Sequence, residues 1–264
     1  MKNLKDKVVW ITGASSGIGE ALAYTFAAEG AFPVLTARNA EKLEQVRIAC
    51  LNDTAKCWIQ QADLSDANSL EELVKQVISE TGGIDLLVCN AGRSQRALAR
   101  ETPLEIDRQL MELNFFSVVA LTKLVLPHML KKRTGHLVVI SSISGKFGFP
   151  WRTAYAASKH ALQGFFESLR AELADEHIPV TIVSPGRIRT AISLQSVTGD
   201  GTSYNKLDDG QANGMDPRAC AIQIVKAIKK DRKEILVGRS ELLMVYIRRF
   251  LPVLYYQLVT KIRN

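Results

Sequence analysis

Cysteine and histidine are scarce in this chain, with four of each among 264 residues. The spacing of the cysteines matches neither a disulfide framework nor a CxxC metal site, and the histidines form no ligand cluster with them. The sequence therefore predicts a reducing compartment and no bound metal, with all eight residues in surface or core positions. They are Cys50, Cys57, Cys89, Cys220, His128, His136, His160 and His177.

The chain also lacks a long hydrophobic run near its start and a concentrated block of positive charge. The first apolar run, residues 8–11, is too short for a signal-peptide core, so we expect a cytoplasmic protein. The formal net charge is +7, but 34 Lys and Arg are scattered among 27 Asp and Glu. This scatter does not predict a nucleic-acid partner, whereas a phosphate-bearing small molecule or an anionic membrane surface fits it.

Short apolar runs alternate along the chain with longer segments of helical periodicity, among them 69–80, 103–132, 153–177 and 217–230. Strands that alternate with helices predict a parallel, doubly wound α/β sheet with helices on both faces. The length suits one catalytic domain over residues 1–240. The apolar runs are 8–11, 33–35, 57–59, 86–88, 137–140, 180–183 and 235–237.

A glycine-rich turn follows the first predicted strand, where residues 12–19 read TGASSGIG and lead into the helical stretch 20–29. Glycines let the backbone approach a pyrophosphate, and the free amides at a helix start attract its charge. The GxxxGxG spacing in this context predicts a dinucleotide site. The predicted contacts are Gly13, Ser15, Ser16, Gly17, Ile18 and Gly19.

The end of the second strand predicts which dinucleotide binds. An acidic residue there holds the ribose hydroxyl of NAD, whereas a basic residue accepts the 2′-phosphate of NADP. The chain has Ala37 in the acidic position and Arg38 after it, and Ser15 adds a hydroxyl. We therefore predict NADP(H) as cofactor, the alternative being that Arg38 is only a solvated residue at a strand end.

Tyr155 and Lys159 lie four residues apart on a predicted helix and hence on one of its faces. A nearby cation lowers the pKa of a phenol, so we expect Lys159 to lower the pKa of Tyr155 toward neutrality. Ser142 follows the predicted strand 137–140 at the same sheet edge, from where its hydroxyl can donate to a substrate oxygen.

Taken with these motifs, the sequence resembles the short-chain dehydrogenase/reductase family from residue 7 to about residue 237. The resemblance implies a Rossmann-like doubly wound parallel sheet of about seven strands. It also implies hydride transfer between NADP(H) and a carbonyl or alcohol, with Tyr155 as proton donor or acceptor. The motifs that match in family order are residues 12–19, Asp63 with Leu64, the triplet Asn90, Ala91 and Gly92, then Asn114, Ser142, Tyr155 with Lys159, and Pro185 and Gly186 with Thr190.

The resemblance also assigns roles to single residues. It implies that Asp63 and Leu64 hold the adenine, that Asn90 lines the cofactor cleft and that Ile188 meets the carboxamide through its backbone. Lys159 would also bind the nicotinamide ribose, and Asn114 would anchor a proton-relay water. Cys89 departs from the family, which often has asparagine before the Asn-Ala-Gly triplet, and we expect local repacking without loss of catalysis.

A polar loop near residues 187–214 is expected to close over the substrate. Apolar side chains around it predict a lipophilic substrate such as a steroid, a retinoid or a fatty ketone, although nearby arginines would also admit an anion. The expected lining is Ile143, Phe147, Phe149, Trp151, Ile192 and Leu194, and the arginines are Arg93, Arg96, Arg152, Arg187 and Arg189.

Residues 241–264 form an apolar and basic extension, interrupted by arginines and a proline, that is unsuited to spanning a bilayer. It is expected to pack on the domain, on a partner subunit or on a membrane surface. The family resemblance implies a homodimer or homotetramer. The functions that compete with the enzyme are a non-catalytic NADP-binding redox sensor and a peripheral membrane interaction protein.

Overall fold

A computed structural model describes residues 1–262 of the chain. Seven parallel strands form one sheet in the order β3-β2-β1-β4-β5-β6-β7. Each predicted apolar run overlaps one strand, with only Cys57 of the run 57–59 outside β3, so the predicted Rossmann-like α/β fold is confirmed. The strands are β1 Val8–Thr12, β2 Phe32–Ala37, β3 Trp58–Gln61, β4 Leu86–Cys89, β5 Leu137–Ile140, β6 Val180–Pro185 and β7 Glu234–Val237.

Ten α-helices accompany the sheet within the described residues. Their bounds are α1 Gly17–Ala28, α2 Ala40–Cys50, α3 Leu70–Thr81, α4 Leu104–Met111, α5 Ser117–Lys132, α6 Thr153–Glu172, α7 Asp209–Ala212, α8 Pro217–Lys229, α9 Leu243–Phe250 and α10 Pro252–Val259. A π-helical turn, Glu112–Phe116, joins α4 to α5.

The sheet is buried on both faces because alternate residues of each strand point to opposite sides. In β1, Val9 and Ile11 pack in the cluster formed with α1, α2 and α8, whereas Val8 and Trp10 pack in the cluster formed with α3, α5 and α6. The indole of Trp10 is fully buried and donates a hydrogen bond of 2.8 Å to Thr36 Oγ1.

Three features differ from the sequence-based expectation or add to it. Helix α2 was not predicted, and α6 ends at Glu172 rather than at His177, whose φ of +56° lies outside the right-handed helical region. The continuous helix Leu104–Lys132 is long and apolar enough to cross a membrane. However, its residues Val118, Leu121 and Val125 are buried in the core, as in the core helices of globular domains.

The C-terminal extension forms α9 and α10, which pack on the segment that follows β5. Tyr255 is buried against Phe147, with ring centroids 5.9 Å apart, and its hydroxyl donates to the backbone oxygen of Gly148. Contacts with the domain therefore hold this segment. Residues 263 and 264 of the predicted extension lie outside the described part of the chain.

Candidate active site

The site lies at the carboxyl ends of the central strands. The sheet order reverses between β1 and β4, and a crevice opens beyond such a reversal. Gly13 follows β1, Asn90 follows β4, Ser142 follows β5 and Gly186 follows β6. The fold thus brings together at one sheet edge residues that are far apart in sequence.

The glycine turn packs tightly between β1 and the start of α1. Gly13 and Gly17 have φ angles of +65° and +62°, which L side chains rarely adopt. A Cβ on Gly19 would lie 2.2 Å from the Gly13 carbonyl oxygen. The amide of Asn90 donates to the oxygens of Thr12 and Gly13 at 2.9 and 3.2 Å.

The first turn of α1 begins at Ser16, whose side chain makes no capping hydrogen bond. Its amides face a cleft of about 370 Å³ and are suited to an anionic ligand. The residues present therefore fit a dinucleotide pyrophosphate. Predicted contacts that line this cleft are Gly13, Ser15, Ser16, Gly17, Ile18, Arg38, Asp63, Leu64, Asn90, Ala91, Gly92 and Thr190.

Arg38 lies at the other end of the cleft with its side chain 75% exposed, and its Nη1 is 3.8 Å from Asp63 Oδ2. Burial opposes the ionisation of Asp63, but hydrogen bonds from Ser65 and the charge of Arg38 lower its pKa overall. Lys42, which the sequence analysis missed, lines the same cleft on α2. Two cations therefore line the part of the cleft that follows β2.

Tyr155, Lys159 and Ser142 line a second cavity, of about 410 Å³, which we call the catalytic cavity because it holds the predicted catalytic residues. Lys159 is buried, and its Nζ donates to the Ile140 oxygen at 2.9 Å and lies 5.9 Å from the centre of the Tyr155 ring. Predicted residues that also line this cavity are Ile18, Asn90, Gly92, Pro185, Gly186, Ile188 and Thr190.

The pKa of Tyr155 departs from the expectation. Burial raises it above its ordinary value of 10.0, against a lowering by the Ser142 hydrogen bond and by the charges of Arg96 and Arg152. Burial also lowers the pKa of Lys159 to about 8. The prediction that Lys159 brings the pKa of Tyr155 toward neutrality is therefore wrong for this structure, because desolvation outweighs the attraction of the cations.

Asn114 lies in the π-helical turn and is fully buried. Its Oδ1 accepts from the Arg93 amide at 2.8 Å, and its Nδ2 donates to the Arg93 oxygen at 2.9 Å and to Ser158 Oγ at 3.1 Å. A Cβ on Gly92 would lie 2.9 Å from Asn114 Oδ1 and 3.5 Å from Lys159 Nζ. Asn114 therefore ties the loop after β4 to α6, while its water-anchoring role stays a prediction.

Gln95 holds the start of α6 and was missed by the sequence analysis. Its Oε1 accepts from the amides of Ala154 and Tyr155 at 2.9 and 3.4 Å, and the side chain is fully buried. The residue at the N-cap itself, Arg152, makes no side-chain cap. That poor capping residue is the sequence signal that α6 needs a cap from elsewhere, but it does not indicate which residue supplies it.

A buried ion-pair cluster ties the 187–214 loop to the catalytic side of the domain. Arg96 Nε donates to Asp208 Oδ2 at 2.9 Å, its Nη2 also contacts that oxygen, and Arg152 Nη2 is 3.3 Å from it. All three side chains line the 410 Å³ cavity. Asp208 was not predicted, because one aspartate among several polar residues of a long loop carries no signal.

The apolar wall of the catalytic cavity matches the prediction in part. Ile143, Phe147, Phe149 and Ile192 line it, and Met244 and Ile262 of the C-terminal segment add to it without having been predicted. Two predicted lining residues are corrections. Trp151 is 38% exposed outside the cavity lining, and Leu194 lies in a neighbouring surface cavity because the 187–214 loop turns it away.

The five arginines predicted near the substrate lie in three different places in the structure. Arg96, Arg152 and Arg187 line the catalytic cavity, Arg93 lines a groove beside Arg38, and Arg189 pairs with Asp216 outside both.

Cys89 is buried beneath the site, and burial raises the pKa of its thiol to about 12. It is therefore protonated and inert at neutral pH, as a small apolar residue would be. All four cysteines are free. Within residues 1–262, no group of three or more His, Cys, Asp or Glu side chains is placed to hold a metal.

Comparisons with known proteins agree with this geometry. A family model described as short chain dehydrogenase matches residues 7–200. The Anopheles gambiae protein named Dehydrogenase/reductase SDR family protein 7-like is 44% identical, over 98% of this chain and 84% of its own length. The Xenopus tropicalis Dehydrogenase/reductase SDR family member 7B is 42% identical, over 96% of this chain and 84% of its own length.

Two solved structures are similar in fold. A short-chain dehydrogenase from Streptomyces avermitilis is 29% identical with a TM-score of 0.82, over 94% of each chain. A short chain dehydrogenase/reductase from Burkholderia phymatum, solved in complex with NAD, is 23% identical with a TM-score of 0.85, over 96% of each chain.

Proposed function

The chain belongs to the short-chain dehydrogenase/reductase family, and on that premise we propose that it is an NADP(H)-dependent oxidoreductase that interconverts a carbonyl and an alcohol. The observation that carries the proposal is the continuity of the two cavities. Five residues line both the glycine-turn cleft and the cavity of Tyr155, namely Ile18, Asn90, Gly92, Thr190 and Ile192. A dinucleotide held at the glycine turn would therefore extend to the catalytic residues.

When bound, the nicotinamide supplies the hydride that adds to the carbonyl carbon. Tyr155 has a raised pKa, so its phenol is protonated at neutral pH and donates its proton to the carbonyl oxygen. The Ser142 hydroxyl donates a hydrogen bond to the same oxygen. In the oxidising direction, the Tyr155 phenolate takes the proton of the alcohol.

Cations near Tyr155 stabilise the phenolate that forms as the proton leaves. Arg96 and Arg152 act on it electrostatically. With a pKa of about 8, Lys159 is about nine-tenths protonated at pH 7. Its buried ammonium also has hydrogen-bonding capacity left for a ribose hydroxyl, since it donates to Ile140 with one of three N–H bonds.

The test of the catalytic assignment is Tyr155→Phe, assayed by NADPH oxidation against a panel of carbonyl compounds. Removal of the phenol should lower kcat at least about 100-fold. NADPH affinity should stay within about two-fold, since only the proton donor is lost. Tyr24→Phe is the matched control, because burial and Glu20 also raise the pKa of that phenol but it lies on α1 outside the catalytic cavity.

Substantial activity in Tyr155→Phe would refute the assignment. NADPH binding without turnover on any carbonyl would favour the non-catalytic redox sensor instead. The apolar wall of the cavity favours a lipophilic substrate, and its arginines would accommodate an anionic group. The panel should therefore contain each lipophilic ketone with and without a carboxylate.

The preference for NADP(H) rests on Arg38 and Lys42, and on Ala37 in place of an acid at the end of β2. Arg38→Ala should lower kcat/KM for NADPH about ten-fold and leave that for NADH within about two-fold, because the guanidinium meets only the extra phosphate. Arg189→Ala is the control, since that exposed arginine pairs with Asp216 outside the cleft. A wild-type preference for NADH would overturn the assignment.

A further inference from the structure

Helices α9 and α10 are joined by Leu251 alone, and one side of the pair is packed on the domain. On that side Val245 and Ile247 pack against the cluster of Ile143, Phe147 and Tyr255, and Met244 reaches the catalytic cavity. These contacts fix both helices on the domain beside that cavity.

The exposed side of the two helices is unusually apolar for a protein surface. Seven of the fifteen large exposed hydrophobic side chains in the described part of the chain lie between residues 243 and 256. Phe250 and Val253 are 73% and 72% exposed. Large contiguous patches of this kind mark interaction sites. The C-terminal apolar face consists of Leu243, Tyr246, Phe250, Leu251, Val253, Leu254 and Tyr256.

Basic residues flank this face in the sequence. Arg239, Arg249 and Lys261 are exposed, and the Arg248 guanidinium lies 5.3 and 5.7 Å from the ring centres of Tyr255 and Tyr256. Glu241 is the one acidic residue between positions 239 and 262. Its carboxylate accepts from the backbone amides of Arg187 and Arg239 and is thus turned toward the domain.

We propose that the C-terminal apolar face docks on the surface of an anionic lipid bilayer. Aromatic and aliphatic side chains would enter the boundary between headgroups and acyl chains, with the basic side chains at the level of the phosphates. The helices lie on the membrane and do not cross it, because each has eight residues and a spanning helix needs about 20. Charge also argues against a second copy of the chain. A two-fold contact through this face would place the basic residues of both copies in one interface, where residues 239–262 offer no acidic partner because Glu241 is bonded to the domain.

The experiment is co-sedimentation of the full chain with phosphatidylcholine vesicles that contain or lack phosphatidylglycerol. We expect binding to the anionic vesicles, with a loss of about five-fold in Arg249→Gln, since each basic residue near such a surface contributes about that factor. Phe250→Ser with Val253→Ser should weaken binding at least about ten-fold through lost apolar burial. Neither variant touches a catalytic or cofactor-lining residue.

Matched controls lie on α8, where Ile222 is 51% exposed and Arg218 is also exposed. Ile222→Ser and Arg218→Gln should bind vesicles like the wild type, and all variants should keep the wild-type thermal midpoint. Failure to bind anionic vesicles would overturn the proposal, and so would equal binding by the Phe250→Ser, Val253→Ser variant. Dissociation of a dimer by that variant, measured by analytical ultracentrifugation without lipid, would assign the face to a second copy.

Discussion

Replacement of Gly19 by alanine at the start of α1 has two opposite effects on stability, one through helix propensity and one through packing. Alanine is about 1 kcal/mol more favourable than glycine within a helix, so propensity alone predicts stabilisation. Packing predicts the opposite. The added Cβ would lie 2.2 Å from the Gly13 oxygen, 2.9 Å from the Gly13 carbonyl carbon and 2.5 Å from Asn90 Nδ2.

The packing effect should be the larger one. A methyl carbon needs more than about 3 Å from a carbonyl oxygen, so the backbone of the glycine turn must move by roughly 1 Å, and such overpacking costs about 1–3 kcal/mol. After the gain in propensity, we expect a net loss of up to about 2 kcal/mol in the free energy of unfolding. The same movement misplaces the amides that would hold the pyrophosphate, and loss of one or two charge-assisted hydrogen bonds weakens NADPH binding about 10- to 100-fold.

Thermal unfolding and NADPH titration by fluorescence measure the two effects separately. Gly164→Ala is the matched control, since Gly164 is exposed on α6 and a Cβ there would meet nothing within 4 Å. It should raise the free energy of unfolding by about 0.5–1 kcal/mol and leave NADPH binding unchanged. If Gly19→Ala were as stable as the wild type and bound NADPH equally well, the tight packing of the glycine turn would be refuted.

Two further predictions concern Tyr155 and the residue that positions it. Because its pKa is raised, the phenol is the dominant form at neutral pH. Below the pKa of about 8 of Lys159, from about pH 6 to 7.5, kcat/KM for alcohol oxidation should therefore rise about ten-fold per pH unit while that for carbonyl reduction stays nearly flat. An oxidation rate that is level across this range would contradict the raised pKa. Gln95→Leu removes the cap on the amides of Ala154 and Tyr155, which should destabilise the protein by about 0.5–2 kcal/mol and lower kcat more than it changes KM. Gln95→Glu keeps the acceptor oxygen, so at alkaline pH it should have most of the wild-type kcat. An equal loss of kcat in Gln95→Leu and Gln95→Glu would exclude a capping role.

The fold was predictable from sequence because a parallel sheet buried on both faces leaves a strong pattern. Strands such as β1 and β5 consist almost wholly of apolar residues, and each is followed by a helical segment. Helix α2 escaped detection because only Leu43, Val46 and Cys50 of its eleven residues are buried. Its N-cap Asn39, whose side chain accepts from the Lys42 amide at 2.8 Å, was the local signal available.

The candidate site was predictable to the extent that its residues follow strands or share one helix face. Asn90 and Gly186 follow a strand directly and Ser142 lies two residues after one, so parallel pairing alone places them at one edge. Gln95 and Asp208 lie in loops, and their positions depend on long-range contacts such as the bridge between Gln95 and Val197. A loop conformation set by distant partners leaves no periodic pattern in the sequence.

The pKa of Tyr155 likewise depends on loop conformations that the sequence does not predict. The four-residue spacing of Tyr155 and Lys159 places both side chains on one face of α6. Their proximity alone predicts an attraction between the ammonium and the phenolate. How deeply both groups are buried depends on the loop of Gln95, the 187–214 loop and the C-terminal helices, none of which has a conformation readable from sequence. Burial penalises both charged forms, raising the pKa of the phenol and lowering that of the ammonium. The protonation state on which catalysis depends is therefore a property of the assembled cavity. Substitutions in the surrounding loops that expose Tyr155 to solvent should lower its pKa even where Lys159 stays in place.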